Sequence, residues 1–397
     1  MALPDANNTA NGYYGSIYSG ARGISNILEK RLKIEMDDTI AELQPDANPL
    51  LVISSKIAKR PVTSYKYEWF EEDPAGRWFK APAAITNAAT TFTIADATGI
   101  QIAVDDLLKV AKSGEIMLVT AISTTGGNTT VTVKRKVGSS EAAAIAKDDY
   151  ILVMANALPQ GSNAPAEKRT NPFVQYNYTQ IFKTPFSITN TLNASAQIGE
   201  DELGRLRRKA GVEHAVSIEY AIMFGERSID LTGPQPRTTT GGVLESLVNT
   251  PNKLEKKLSE VTQDDMDAFL QAVYNYGSTS KLCLASPSIL GLFTKWAKEK
   301  LMVTSNETKF GMNVMSYVSP YGELKLVKHP LLVDGYDGLA IVLDMDEVSY
   351  RPLTGRDTSL LTNIQETDED GERDMYLTEA GVQLKLPRKH GIIKLTK

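Results

Sequence analysis

The sequence predicts an α+β fold, and three observations lead to that prediction. Two stretches in which apolar and polar residues alternate, 62–70 and 173–191, indicate long strands on either side of a region of short ones. One long helical pattern follows over 200–227, and from residue 262 onward helix and strand signals are mixed. At 397 residues the chain is long enough for two or three domains.

Residues 1–50 are predicted to form an N-terminal arm. The leader, 5–23, is too rich in Asn, Gly and Ser to build a core on its own. A helical pattern follows and ends before Pro45. Its apolar stripe is formed by Ile24, Ile27, Leu28, Leu32 and Ile40. A lone amphipathic helix buries such a stripe only against the rest of the chain or against a neighbouring chain.

Residues 51–82 and 160–195 are predicted to form an extended hairpin loop in which the two long strands pair. The residues between them, 83–159, are dominated by Thr, Val, Ala, Ile and Gly and contain almost no aromatic residues. Their short apolar runs are separated by turn signals such as Gly126-Gly127-Asn128. This pattern predicts a small β-barrel or sandwich, inserted at the tip of the hairpin.

The long helix over 200–227 begins with acidic residues, which favour a helix N-terminus. Its apolar stripe is formed by Leu203, Leu206, Ala210, Ile218 and Ala221. Further on, Thr262 and Asp265 form a capping box, and Pro287 indicates the first turn of another helix. The strands expected after it are 314–318, 323–328, 339–343, 348–353, 375–386 and 392–395.

The charge balance argues against broad affinity for nucleic acid or anionic lipid, because 43 basic and 48 acidic residues leave a net charge of −5. The single cysteine, Cys283, excludes an intramolecular disulfide, and it forms no zinc site with three distant histidines. No apolar run approaches the length that spans a bilayer, and the N-terminus lacks the pattern of a secretory signal. A soluble, intracellular origin is therefore expected.

Motifs of catalysis are weak in this sequence. No G-x-S-x-G turn or Walker A loop is found, and His214, His329 and His390 stand apart from any nucleophile pattern. We expect His214 to be a packed residue, since it falls on the apolar stripe of the long helix. No catalytic residue, cofactor or metal is predicted, and the protein is not expected to be an enzyme.

The charged clusters have competing interpretations. Asp344, Asp346 and Glu347 are a weak candidate for metal or acid/base chemistry, against the end of a strand and its turn. The run Glu366, Asp368, Asp370, Gly371 matches part of a calcium loop, but Leu377 stands where a bidentate Glu is needed, so a solvated turn is favoured. The basic clusters are Arg205, Arg207, Arg208 and Lys209 on the helix and Lys134, Arg135 and Lys136 in the module. Solvated faces or salt bridges between subunits are favoured for both clusters over loose contact with phosphate.

The order of these parts resembles the major capsid protein of tailed bacteriophages, in particular the subgroup whose extended loop carries a small β-module. Several local sequences carry the resemblance: NPLLVISSKIAKRPVTSYKYEW (48–69), YNYTQIFKTPFSITNT (176–191), the helix GEDELGRLRRKAGVEHAVSIEYAIMFGE (199–226), Arg237 with Gly241-Gly242, YGELKLVKHPLL (321–332) and GLAIVLDMDEVSYRPL (338–353). The resemblance covers nearly the whole chain past the arm, and it depends on six segments in order rather than on one diagnostic motif.

The resemblance implies the tailed-phage capsid fold, with a spine helix and peripheral domain at 196–235, an axial domain at 236–335 and strands at 336–397 that return to the peripheral domain. It implies a structural protein of the virion that self-assembles into hexamers and pentamers of an icosahedral shell around double-stranded DNA. Assembly in the host bacterial cytoplasm follows. The alternatives are a tail or baseplate subunit and a surface adhesin; the scarcity of aromatic residues in the module counts against the adhesin.

The resemblance also implies partners. These are further copies of the chain, a separate scaffolding protein (since fewer than fifty residues precede the hairpin), a portal, decoration proteins, and DNA in weak non-specific contact. A long hairpin with an aromatic face has no use in a monomer but can lie across an adjacent subunit. The residues expected at contacts between subunits are Tyr65, Tyr67, Trp69, Tyr176, Tyr178, Arg205, Arg207 and Arg208.

Overall fold

The computed structural model describes residues 59–95, 99–139, 141–165, 167–195, 201–248, 250–300, 304–309 and 312–396. The arm predicted over 1–50 lies outside these residues. The chain divides into two compact units: a smaller one over Glu68–Tyr176, and a larger one that ends at Tyr67 and resumes at Asn177.

Eight strands lie within the smaller unit or extend into it. They are β1 (Lys66–Glu71), β2 (Trp78–Lys80), β3 (Thr91–Ala95), β4 (Asp106–Val110), β5 (Ile116–Thr125), β6 (Asn128–Lys134), β7 (Tyr150–Asn156) and β8 (Phe173–Tyr178). Strands β1 and β8 pair with each other as a two-stranded ribbon, as the hairpin pattern predicts.

The other strands of the smaller unit form one antiparallel sheet in the order β2-β7-β4-β5-β6-β3. Alternate residues point to opposite faces of a strand, so one face of this sheet is buried and holds a core of its own. That core includes Phe79, Leu108, Met117, Val131 and Ile151. The module is thus built on one sheet rather than on two packed sheets, and its first strand begins at Trp78, before the predicted boundary at residue 83.

The larger unit contains the remaining elements. They are β9 (Gln180–Thr189), α1 (Asn190–Ala194), α2 (Glu202–Phe224), β10 (Ser228–Asp230), β11 (Arg237–Thr239), α3 (Val243–Leu247), β12 (Lys253–Lys257), α4 (Gln263–Tyr274), β13 (Ser280–Ala285), α5 (Pro287–Lys300), β14 (Thr304–Lys309), β15 (Met312–Ser319), β16 (Gly322–Lys328), β17 (Leu339–Leu343), β18 (Val348–Pro352), β19 (Ser359–Leu361), β20 (Gly371–Leu384) and β21 (Gly391–Thr396). The mixed α and β content confirms the predicted fold class.

Seven of these strands form a mixed sheet in the order β12-β21-β17-β13-β16-β15-β14. The inner strand β17, which lies between β21 and β13, is buried at every position, as expected where both faces of a sheet are covered. One face packs on α4 and α5, where Phe269 and Phe293 meet Cys283 and Val342. The other face, with Leu284 and Ile341, belongs to a second core.

That second core also holds α2, α3 and a four-stranded sheet. Strand β20 is the centre of this sheet, because it pairs with β9 on one side and with β18 and β19 on the other. Helix α2 contributes Ile218, Ile222 and Met223 to the core. Asp201 caps the start of α2 by accepting a hydrogen bond from the Gly204 main-chain N–H, and the helix ends before Gly225.

The strands near the C-terminus are divided between the two sheets. Strands β17 and β21 belong to the seven-stranded sheet, whereas β18, β19 and β20 belong to the four-stranded one. The resemblance to tailed-phage capsid proteins implies that the strands of residues 336–397 all return to the peripheral domain. The pairing differs because β17 is apolar throughout and fits only in the middle of a sheet covered on both faces.

The long alternating stretch 173–191 is not one strand. It divides at Thr179, whose main-chain N–H donates to the carbonyl of Tyr65 and whose buried hydroxyl donates to Glu379. Residues before this break pair with β1, and residues after it pair with β20. The alternation continues across the break, so periodicity alone does not reveal it.

Candidate assembly surfaces

The root of the β1–β8 ribbon, formed by Tyr67 and Asn177, is fixed by buried polar contacts within the larger unit. The hydroxyl of Tyr67 donates to the carbonyl of Val382 over 2.8 Å, and the guanidinium of Arg351 lies 5.8 Å from the Tyr67 ring centroid. The Asn177 amide donates to the carbonyls of Gly241 and Val382 and accepts from the Gly241 N–H. Tyr67 is only 8% exposed, so it anchors the ribbon and presents little surface to a neighbour.

A close approach of main chains makes this root possible. A Cβ atom on Gly381 would lie 2.6 Å from the Tyr67 hydroxyl and 2.7 Å from the Tyr178 carbonyl oxygen. Contacts that short do not occur, so the position requires a residue without a side chain. Burial at the same place raises the pKa of Tyr67 and keeps its hydroxyl a hydrogen-bond donor.

The other aromatic contact candidates are more accessible. Tyr65 is 48% exposed and stacks on Tyr178, with ring centroids 6.3 Å apart and planes 8° from parallel. Trp69 is half-buried, and its indole N–H donates to Glu71 over 2.7 Å. Tyr176 is exposed. Their contact with a second subunit remains a prediction.

The ribbon exposes further apolar side chains that the sequence interpretation passed over. Phe70 is 73% exposed, and Phe173 and Val174 are exposed as well. In β1 the residues at 66, 68 and 70 form the polar face, and Phe70 is the apolar exception on it. That exception is the sequence signal that identifies Phe70, because a phenylalanine on the polar face of a strand leaves apolar surface in contact with water.

The basic residues of α2 differ in their surroundings. Arg205 donates to Glu202 in the same helix, whereas Arg207 pairs with Glu372 and Asp374 of β20. The hydrogen bond to Asp374 contributes most to a raised pKa of Arg207. Arg207 therefore ties α2 to the four-stranded sheet, and the exposed Arg208 is the better candidate for contact with another subunit.

The basic cluster of the module is also divided. The Arg135 guanidinium forms a two-pronged salt bridge with the buried Glu115, at 2.6 and 2.7 Å. Although burial acts to raise the pKa of Glu115, hydrogen bonds from Arg135 and from the Ala143 N–H outweigh burial and lower that pKa. Arg135 thus points inward, and Lys134 and Lys136 alone remain exposed for contact with phosphate.

Two of the histidines are packed within the larger unit. His214 is buried and bonded to the hydroxyls of Thr184 and Thr378, which confirms the expected packed role. His329 Nδ1 accepts from the Leu331 N–H, so its Nε2 is the donor to Glu219 at 2.9 Å. Both rings serve hydrogen bonds that hold α2 in place.

The carboxylates at the end of β17 serve the turn that follows it. Asp344 accepts from the N–H groups of Ser278 and Asp346 and lies 3.8 Å from the buried ammonium of Lys281. Burial lowers the pKa of Lys281 to about 8, and it lowers that of the neighbouring His390 to about 4. Glu347 pairs with Lys389. These contacts fit the interpretation as a strand end and turn better than that of a metal site.

Across the described parts of the chain, no three His, Cys, Asp or Glu side chains are grouped closely enough to hold a metal ion. Within those same parts, no helix has the length and apolar character needed to cross a membrane. The candidate contact surfaces described above are the exposed side chains of the ribbon and the exposed Arg208 of α2.

The model of the SU10 major capsid protein family matches residues 12–397 of the sequence. The chain belongs to that family. It is also 25% identical over 364 residues to the major capsid protein of Pseudomonas phage PaMx41, an alignment that covers 87% of this chain and 84% of the relative. The protein is thus the major capsid protein of a phage and a component of the virion shell, in a family of structural proteins.

Several solved structures show a distant likeness in shape. The capsid of cyanophage P-SCSP1u is 11% identical, with 98% of this chain and 99% of that chain covered at a TM-score of 0.48. The structure of Microbacterium phage Oxtober96 is 10% identical, with 92% and 96% covered at 0.45. The SrpI encapsulin of Synechococcus elongatus is 11% identical, with 57% and 78% covered at 0.42.

Proposed function

We propose that this capsid protein assembles through hexamers and pentamers into an icosahedral shell that encloses packaged double-stranded DNA, without catalysis. The observation that carries the proposal is the ribbon, which exposes Phe70, Phe173, Val174 and Tyr176 on a pair of strands. Apolar side chains exposed on a two-stranded ribbon gain stability when another surface covers them. In a shell the neighbouring copy supplies that surface.

The same proposal assigns each sheet of the larger unit to a domain of the capsid fold. The four-stranded sheet with α2 corresponds to the peripheral domain, and the seven-stranded sheet with α4 and α5 corresponds to the axial domain around the symmetry axes. The net charge of −5 suits a shell that touches DNA only weakly, because strong binding of phosphate would oppose packaging and release. A scaffolding protein, a portal and decoration proteins complete the particle, which forms in the host bacterial cytoplasm.

The experiment is light scattering after size exclusion, followed by negative-stain electron microscopy, with and without the candidate scaffolding protein. We expect rings of five or six, tubes or closed shells. Phe70→Ser removes the most exposed ring of the ribbon and should abolish these assemblies. Leu231→Ser is the matched control, since Leu231 is 71% exposed in a loop outside the ribbon and should assemble as the parent does. A monomer under both conditions, or normal assembly by Phe70→Ser, would contradict the proposal.

Carbohydrate binding by the module is a second candidate, and one observation favours it. Trp78 and Tyr150, 54% and 51% exposed, lie on the outer face of the paired strands β2 and β7, so the module presents two rings that can stack on sugars. A glycan array probed with the full chain tests this candidate. Binding that Trp78→Ala removes would support it, and an array without signal would dismiss it.

A further inference from the structure

Three Asp-Gly pairs of the larger unit lie in different surroundings. They are Asp334-Gly335, Asp337-Gly338 and Asp370-Gly371. In an Asp-Gly pair the main-chain nitrogen of the glycine can attack the side-chain carboxyl group of the aspartate, because glycine has no Cβ to block the approach. A hydrogen bond to that nitrogen, or a packed main chain around it, holds the two groups apart. The surroundings of each glycine therefore decide which pair reacts.

Two of the pairs are held in place. The Gly338 N–H donates to the hydroxyl of Ser286 over 3.2 Å, and a Cβ on Gly338 would overlap the carbonyl oxygen of Leu395. The Gly371 N–H donates to the carbonyl of Glu369 over 3.0 Å, and Gly371 is the first residue of β20. A nitrogen that is bonded and packed in this way does not turn toward the neighbouring carboxyl group.

The pair Asp334-Gly335 has no such restraint. Both residues are exposed, and a Cβ on Gly335 would meet nothing within 4 Å. The short turn that contains them is closed by the N–H groups of Tyr336 and Asp337. Among the residues that the structure describes, none accepts a hydrogen bond from the Gly335 N–H. The main-chain nitrogen of Gly335 is therefore free to react.

The main chain of Asp334 is also strained. Its φ of 51° lies in the left-handed region, which residues with a side chain adopt at a cost in energy. Asp337, by comparison, has an ordinary φ of −72°. A reaction that changes the path of the main chain at Asp334 releases this strain, so the strain favours reaction at this pair.

We propose that Asp334 is a site of spontaneous isomerisation to isoaspartate. The Gly335 nitrogen loses its proton and attacks Asp334 Cγ, the Cγ–OH bond breaks, and water leaves to give a five-membered succinimide ring. Water then adds to the main-chain carbonyl carbon of the ring, and the bond between that carbon and the nitrogen breaks. One water is lost and one is gained, so the reaction needs no oxidant, reductant or cofactor.

The isomerisation changes the surface of the larger unit at the end of α2. Tyr336 stacks on Phe224 of α2, with ring centroids 4.4 Å apart, and Asp334 begins the short turn that ends at Tyr336. Isoaspartate adds one carbon to the main chain and places the free carboxylate on Cα, so the turn lengthens and Tyr336 shifts relative to Phe224. The inference concerns the single subunit and does not depend on the proposed role in a shell.

The test is peptide mapping of the full-length protein during incubation at neutral pH. Isoaspartate is detected with an isoaspartyl methyltransferase and located by mass spectrometry. We expect it to accumulate at Asp334 at least about tenfold faster than at Asp337 or Asp370, which serve as controls within the same chain. In urea all three pairs should react at similar rates, because unfolding removes the hydrogen bonds to Gly338 and Gly371. Equal rates at the three pairs in the folded protein, or no isoaspartate at Asp334 once the unfolded chain is converted, would overturn the proposal.

Two variants test the chemistry at the pair itself. The space around Gly335 admits a methyl group, so Gly335→Ala should fold normally, and the methyl group beside the nitrogen should slow the reaction about tenfold or more. Asp334→Asn keeps the left-handed conformation, which asparagine tolerates, and should form the same ring faster with release of ammonia. An unchanged rate in Gly335→Ala, or slower conversion of Asp334→Asn, would each contradict the proposal.

Discussion

His390 makes the stability of the larger unit depend on acidity. Burial holds the pKa of His390 near 4, whereas an unfolded histidine titrates near 6.5. The folded state keeps this ring neutral, with Nδ1 accepting from the Asp344 N–H and Nε2 donating to the carbonyl of Lys385. The charges near it are Lys281, Asp344 and Glu347, and their effects partly cancel.

The sign of the pH effect follows from the lowered pKa. Stability from the neutral ring is present above pH 6.5 and is lost as the pH falls from about 6.5 to about 4, by up to about 3 kcal/mol. Urea unfolding at pH 7.5, 6 and 5 should show that loss. His390→Gln should flatten the slope over this range, and an equally steep slope in the variant would assign the effect to other groups, such as the buried His214.

Arg135 holds a buried carboxylate of the module through a salt bridge. Arg135→Met leaves Glu115 charged and buried without its partner, so we expect a loss of about 3 kcal/mol and a lower melting temperature. Lys136→Met is the control from the next position. Its salt bridge with Glu141 is exposed and should change stability by less than about 1 kcal/mol. Equal melting temperatures for both variants would show that the buried pair adds nothing.

At the scale of elements, the ribbon root depends on β20, which has no room for a side chain at Gly381. Gly381→Ala forces its methyl group against Tyr67 and the Tyr178 carbonyl, so we expect a loss of about 1–3 kcal/mol. Gly291→Ala in α5 is the control: a Cβ there meets nothing within 4 Å, and alanine favours a helix by about 1 kcal/mol. Calorimetry on both variants measures the difference. A neutral Gly381→Ala would mean that the root adjusts freely.

The elements differ in how far sequence alone predicts them. Helix α2 and the capping box of α4 follow from local patterns, and the structure contains both of them. The break at Thr179 does not follow, because β9 obeys the same alternation as β8 and only its pairing with β20 separates the two. Strand periodicity states which face is buried but not which partner buries it.

The candidate contacts show the same limit at single residues. Tyr67 shares the alternation of Tyr65, yet its hydroxyl is bonded to Val382, more than three hundred residues away. Arg135 sits in a basic triplet, yet its partner Glu115 precedes the neighbouring strand β5, twenty residues earlier in the chain. Contacts between residues distant in sequence decide both positions, and a single sequence does not contain that information. The predicted module begins at residue 83 because the change in composition is there. Trp78 belongs to the module because its strand β2 pairs with β7.

At the scale of the whole molecule, the two units have separate cores and should unfold separately. We expect calorimetry of the unassembled chain to show two transitions. Arg135→Met should lower only the transition of the smaller unit, and Gly381→Ala only that of the larger one. A single transition, shifted by both variants, would contradict independent folding of the units.

The pairing of strands β1 and β8 makes the smaller unit easy to insert, remove or replace. They bring the entry and the exit of the smaller unit side by side, so the hundred or so residues between them form a cassette with adjoining ends. A short turn between β1 and β8 can be replaced by such an insertion without any change in strand register in the rest of the chain. By the same geometry, a tight Asn-Gly turn in its place would restore a plain hairpin, and a foreign domain with neighbouring termini could be spliced in at the same point.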